Sequence, residues 1–165
     1  MIRLNLFASL VAAALVNLVG SCTPPVTGEL DDRETVDMEI NGHAFRAWIA
    51  DDAAERKLGL MHTTADEMAP LADGTERAML FVFDSDQPTR NGFWMKDVII
   101  PLDIAFIRSD GVIATIRTMA PLTEFPTYNS QESYRYTLEV RGNIYSDLNI
   151  SEGDTVQIPE SVLNR

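Results

Sequence analysis

The amino-acid sequence predicts a single α+β domain, mainly antiparallel and barrel-like, with one or two short helices against the sheet. Three observations point there. Alternating apolar runs flank Asn41-Gly42, a pair that favours a two-residue hairpin turn because both central residues take positive φ, and Asp110-Gly111 marks a second hairpin turn. Asp52 stands three residues before Glu55, and Ala54, Leu58 and Met61 follow helical spacing, which marks a helix opened by a capping box. The chain has 165 residues, 45% hydrophobic and 23% charged, which is room for one core and not for two.

The first segment stands outside that domain. Residues 1–21 carry one basic residue, Arg3, no acidic residue, a largely apolar run and a close on small residues, the layout of an export signal. The only cysteine, Cys22, follows directly. "Val-Gly-Ser-Cys" resembles the lipobox of bacterial lipoproteins, which implies cleavage before Cys22 and acylation of its thiol. A chain with one cysteine closes no internal disulfide after export, and a thioether to lipid also removes an exposed reactive thiol. Each buried lipid CH₂ contributes about 0.8 kcal/mol, so a multiply acylated Cys22 is a firm membrane anchor. The alternative is an uncleaved membrane helix from Leu4 to Gly20, weakened by Asn5, Ser9 and Asn17. Residues 22–34 combine prolines, Gly28 and acidic side chains without apolar periodicity and read as a flexible stalk. The implied location is the periplasmic side of the cell envelope, and the outer membrane in a Gram-negative host, because Thr23 and not Asp follows the cysteine.

The globular domain is expected over 35–160, with 161–165 as a tail. "ETVDMEINGHAFRAWIADD" reads as a β-hairpin and the segment after it as a short helix weakened at its end by Gly59. "RAMLFVF" is a continuous apolar run fitting a buried strand, followed by the polar connection "DSDQPTRNG". "GFWMK", "PLDIAFI", "VIATIRTM", "SYRYTLEV" and "GDTVQIP" read as further strands, and "RGNIYSDLNI" as one or two helical turns. The long connection "IRTMAPLTEFPTYNSQES" is either a binding loop presenting Phe125 and Tyr128 or a packed surface excursion.

Composition and motifs exclude several functions. A net charge of -12, with 13 basic against 25 acidic residues, opposes nucleic-acid binding, which needs clustered cations to neutralise phosphates. No nucleophile elbow, H-E-x-x-H pair, P-loop or dinucleotide fingerprint is present. His43 lies beside the first turn and His62 at the helix end, which fits surface or capping roles better than a base or ligand. Pro88 and Arg90 break any calcium-loop pattern around Asp84 and Asp86. No metal and no cofactor is expected, and the chain reads as non-catalytic.

"ERKLGLMH" at 55–62, "AMLFVF" at 78–83, "FWMKDVIIPLDIAFI" at 93–107 and "YRYTLEVRG" at 134–142 together resemble the domain-of-unknown-function family 192, over roughly residues 35–158. The resemblance implies a fold and no defined activity. Ala78, and Asp97 with Val98, depart from the family's usual Gly before "MLF" and Asn-Thr after "WMK". Strand alternation puts Trp94 and Lys96 on one face, Asp103 with Ala105 and Ile107, and Arg135 with Thr137 and Glu139. If those strands are neighbours, Lys96, Asp103, Arg135 and Glu139 form a charged cluster beside the Trp94 ring. That cluster is either a small-ligand or peptide cleft or an ion-pair network stitching the sheet. Two other functions stay open: an interaction or assembly factor with an envelope protein partner, and a hydrolase using Asp103 and Glu139 as a carboxylate pair.

Overall fold

The computed structural model describes Leu30 and residues 32–165; the export segment, Cys22 and most of the stalk lie outside the described residues. β1 (Thr35–Ile40) and β2 (His43–Ala50) form the expected hairpin, with Asn41 at φ 52° and Gly42 at φ 81° in the two left-handed turn positions. α1 (Ala53–Leu58) opens on Asp52, whose carboxylate accepts from the Ala54 and Glu55 amides at 2.7 and 2.8 Å while Glu55 reaches back to the Asp52 amide. Six residues are too few for a free-standing helix. Arg56 holds it down, donating to the backbone carbonyls of Asp51 and Val82.

β3 (Glu76–Gln87), β4 (Leu102–Ile107), β5 (Ile113–Met119) and β6 (Tyr134–Arg141) complete one six-stranded sheet of order β1-β2-β3-β6-β4-β5. Every neighbouring pair is antiparallel except β2 with β3, so the connection carrying α1 has to cross a face of the sheet. Both faces are therefore covered. The first carries Phe45, Ile49, Leu80, Ala105, Leu138 and Val140 under α2 (Ile144–Asp147) and α3 (Glu160–Leu163). The second carries Trp48, Met79, Phe81, Ile104 and Phe106 under Leu60, Met68, Met95 and Val98. Register assigns the faces: Glu139 lies opposite Met79 and Ile104, while Asp103 lies opposite Val140 and Thr118.

Four expectations change in detail. The sheet is open, so the barrel-like curl amounts to a loose bridge: Thr155–Gln157 touches both edges, the Val156 amide donating to Gly111 at 2.9 Å and the Gln157 amide to Glu39 at 3.3 Å. "GDTVQIP" makes these isolated bridges and no strand. "GFWMK" is not a strand either; only Phe93 pairs, with Tyr128, because Met95 bonds to Thr123 and Asp97 turns the chain at φ 56°. The expected tail holds α3, since Val162 is buried in the core and Arg165 pairs with Glu34 and Asp51. Among the described residues no helix is long and apolar enough to cross a membrane.

Candidate functional site

The second face of the sheet does not close completely. Between β3, β6, the residues from α1 to Met61 and the loop 91–98 lies a cavity of about 210 Å³. Its walls are aromatic, from Phe81, Phe83, Phe93 and Tyr134. These rings fix one another edge to face: Phe81 with Phe93 at 5.1 Å between centroids, Phe83 with Tyr134 at 5.7 Å, and Phe106 behind them 4.9 Å from Tyr134. The Tyr134 hydroxyl donates to the Asn91 carbonyl at 2.7 Å, tying the loop to β6, and burial pushes its pKa up to about 12.

Glu139 supplies the polar group at the buried end. Its side chain points to this face by alternation, is 4% exposed, and has no hydrogen-bond or ion-pair partner among the described residues. Burial alone pushes its pKa up to about 8, so at neutral pH the carboxyl keeps its proton and can donate a hydrogen bond. Two residues earlier on the same face, the Thr137 hydroxyl is buried without a partner among the described residues. At the open end stand Trp94, 41% exposed, and Lys96, whose Nζ lies 5.8 Å from the centre of the Trp94 ring. Arg56 and Lys57 complete the mouth, with the Arg56 guanidinium 5.2 Å from the Phe83 ring centre.

Of the five residues singled out from sequence, Trp94, Lys96 and Glu139 meet at this cavity. Asp103 does not. It points to the opposite face, where its carboxylate accepts from Thr118 Oγ1 at 2.7 Å and from the Tyr145 amide at 3.4 Å. A one-residue difference in register separates it from Glu139 and puts the two carboxylates on opposite faces of the sheet, so they do not form the expected pair. Arg135 is half-buried, lines no part of the cavity, and has no ion-pair partner among the described residues. His62 is exposed and His43 half-buried, and neither lines the cavity. Among the described residues no three His, Cys, Asp or Glu side chains gather as metal ligands would.

Sequence reading missed Arg56, Phe81, Phe83, Phe93 and Tyr134. The four rings carried a signal only as generic strand hydrophobes, and Arg56 only as a helix residue. The long connection behaves in two ways: Phe125 is 81% exposed, whereas Tyr128 packs on the second core and its hydroxyl accepts from the Ala120 amide at 2.9 Å.

Two solved structures share this fold. A proposed transcription regulator from Sinorhizobium meliloti 1021 is 32% identical, with a TM-score of 0.64 over 76% of this chain and 92% of its own. A protein of unknown function from Novosphingobium aromaticivorans DSM 12444 is 28% identical, with a TM-score of 0.66 over 82% of this chain and 90% of its own. No curated protein matches the chain. The pattern of the DUF192 family, described as an uncharacterized ACR, matches residues 36–158, and the chain belongs to that family.

Proposed function

We propose that this protein is a non-catalytic receptor for a small ligand, carried in the cell envelope by a lipid anchor on Cys22. The observation that supports it is an aromatic cavity with one buried carboxyl at its inner end, without a partner among the described residues, and polar side chains at its mouth. Buried polar groups are normally satisfied within the protein, so a donor left free in a cavity suits an acceptor from outside. Catalysis has less support: among the described residues Glu139 is the only acid lining the cavity, and no activated nucleophile stands beside it. The anchor rests on the export layout of residues 1–21 and the "VGSC" sequence.

Native mass spectrometry of the full chain, extracted gently from its own envelope, tests the reading. A reproducible extra mass is expected on the wild type and on Arg135→Ala, and its loss on Trp94→Ala and Lys96→Ala. A bare wild-type mass, or retention in all variants, counts against the cavity as the site. Labelled acetate or palmitate incorporation lost in Cys22→Ser tests the anchor.

A second reading, an interaction factor, has its own observation. Ile99, Leu122 and Phe125 are more than half exposed, and their loops are joined by the Leu122 amide donating to Val98 at 3.0 Å. A photo-crosslinker at Phe125 that captures one reproducible envelope protein would favour it; random capture would not.

A further inference from the structure

The charges around the cavity run against those of the chain as a whole. The protein has 25 acidic and 13 basic residues, yet among the described residues the cavity is lined by three cations, Arg56, Lys57 and Lys96, and a single acid. That acid is buried at the far end, where desolvation raises its pKa and favours the neutral form, which opposes cancellation of their charge. Arg56 donates to two neutral backbone carbonyls, which orient the guanidinium and leave its charge uncompensated. Among the described residues neither Lys57 nor Lys96 has a carboxylate within ion-pair distance. A mouth of one sign over a low-dielectric, aromatic interior focuses potential and selects charge. The volume of about 210 Å³ lies below the roughly 300 Å³ at which drug-sized sites begin, which leaves room for one ring with short substituents.

Resting on the reading of this cavity as a ligand site, we infer that it takes a small planar organic anion. The negative group sits at Lys57 and Lys96, the ring lies between Phe81, Phe93 and Tyr134, and a hydrogen-bond acceptor on the far side meets Glu139. The titratable groups facing the cavity are Arg56 and Lys57 from α1, Lys96 from the 91–98 loop, and Tyr134 and Glu139 from β6. The Tyr134 hydroxyl already donates its hydrogen bond to the Asn91 carbonyl, so Glu139 is the acid whose ionisation, near pH 8, turns the inner donor into a repelling charge.

Calorimetric titration of the full chain at low salt with three matched probes tests this: 4-acetylbenzoate, 4-acetylbenzamide and 4-acetylbenzylamine. The anion is expected to bind at least tenfold tighter than the neutral amide, and the cationic amine most weakly. The double variant Lys57→Gln/Lys96→Gln, confined to exposed side chains, should abolish the preference for the anion over the amide. Raising the pH from 6 to 9 should weaken the anion severalfold in the wild type and not in Glu139→Gln. Equal binding of all three probes, or an anion preference that survives the double variant, overturns the anion assignment and leaves the cavity as a ligand site. Binding of none of them overturns both.

Discussion

Replacing Glu139 by Gln keeps the shape of the side chain and removes its titrating proton. Burial moves this carboxyl from the ordinary 4.5 to about 8, with no compensating partner. Between those values the unfolded chain releases the proton while the folded chain keeps it, so stability falls as pH rises. The contribution is fully present below pH 4.5, declines steadily, and is lost above about pH 8. Each pH unit within that window is worth about 1.4 kcal/mol, which places the loss at pH 7 near 3 kcal/mol. Glu139→Gln should therefore gain about 3 kcal/mol relative to the wild type between pH 4.5 and pH 7, and roughly 5 by pH 9. A constant cost for burying the amide offsets the whole difference and leaves its slope alone. Urea unfolding followed by the fluorescence of Trp48 and Trp94 at steps from pH 4.5 to 9 measures that slope, because every other titration is common to both proteins. Parallel pH profiles would refute the reasoning: Glu139 would then be ionised in the folded protein, and the cavity would not be a low-dielectric site.

Three further outcomes are expected. Thr137→Val should stabilise the domain by about 1 kcal/mol in the same unfolding assay, since it replaces a buried, unpartnered hydroxyl with a methyl; a loss of stability would mean the hydroxyl is satisfied. Arg141→Ala leaves the nearly buried Glu76 carboxylate without its two hydrogen bonds at 3.0 and 3.1 Å, and should cost about 2 kcal/mol, tempered by the partly exposed guanidinium. The exposed pair Arg46 and Asp37 should matter measurably less, and equal costs for the two pairs would deny burial its role. Gly111→Ala places a Cβ 2.7 Å from the Val156 carbonyl oxygen at a φ of 85°, so it should destabilise by more than about 1 kcal/mol and accelerate amide exchange at Val156; unchanged exchange would show that the Thr155–Gln157 bridge does not depend on that approach.

Local features were legible in the sequence because the residues that cause them stand next to one another. Asn41 and Gly42 carry their own turn, Asp52 and Glu55 their own cap, and the alternation of "LDIAFI" its own two faces. The alternation of Phe93 and Met95 inward with Trp94 and Lys96 outward also survived, although this segment is a turn and not a strand. What alternation supplies is the side of a strand, not which strand lies beside it. The charged cluster that alternation suggests does not form: Trp94, Lys96 and Glu139 meet at the cavity, whereas Asp103 faces the other side of the sheet and Arg135 lines no part of it.

By itself the sequence determined the fold class, the hairpins, the capped helix and the family, all of which follow from short-range chemistry and from motifs read in place. Tertiary structure alone decided the site. Asp103 and Glu139 are separated by strand register, and a shift of one residue moves a side chain from one face of a sheet to the other. The aromatic cavity comes from rings on β3, β6 and a loop, brought together by contacts across the sheet. The proton on Glu139 has the same origin, since desolvation depends on everything packed around a group and on no residue beside it in the chain.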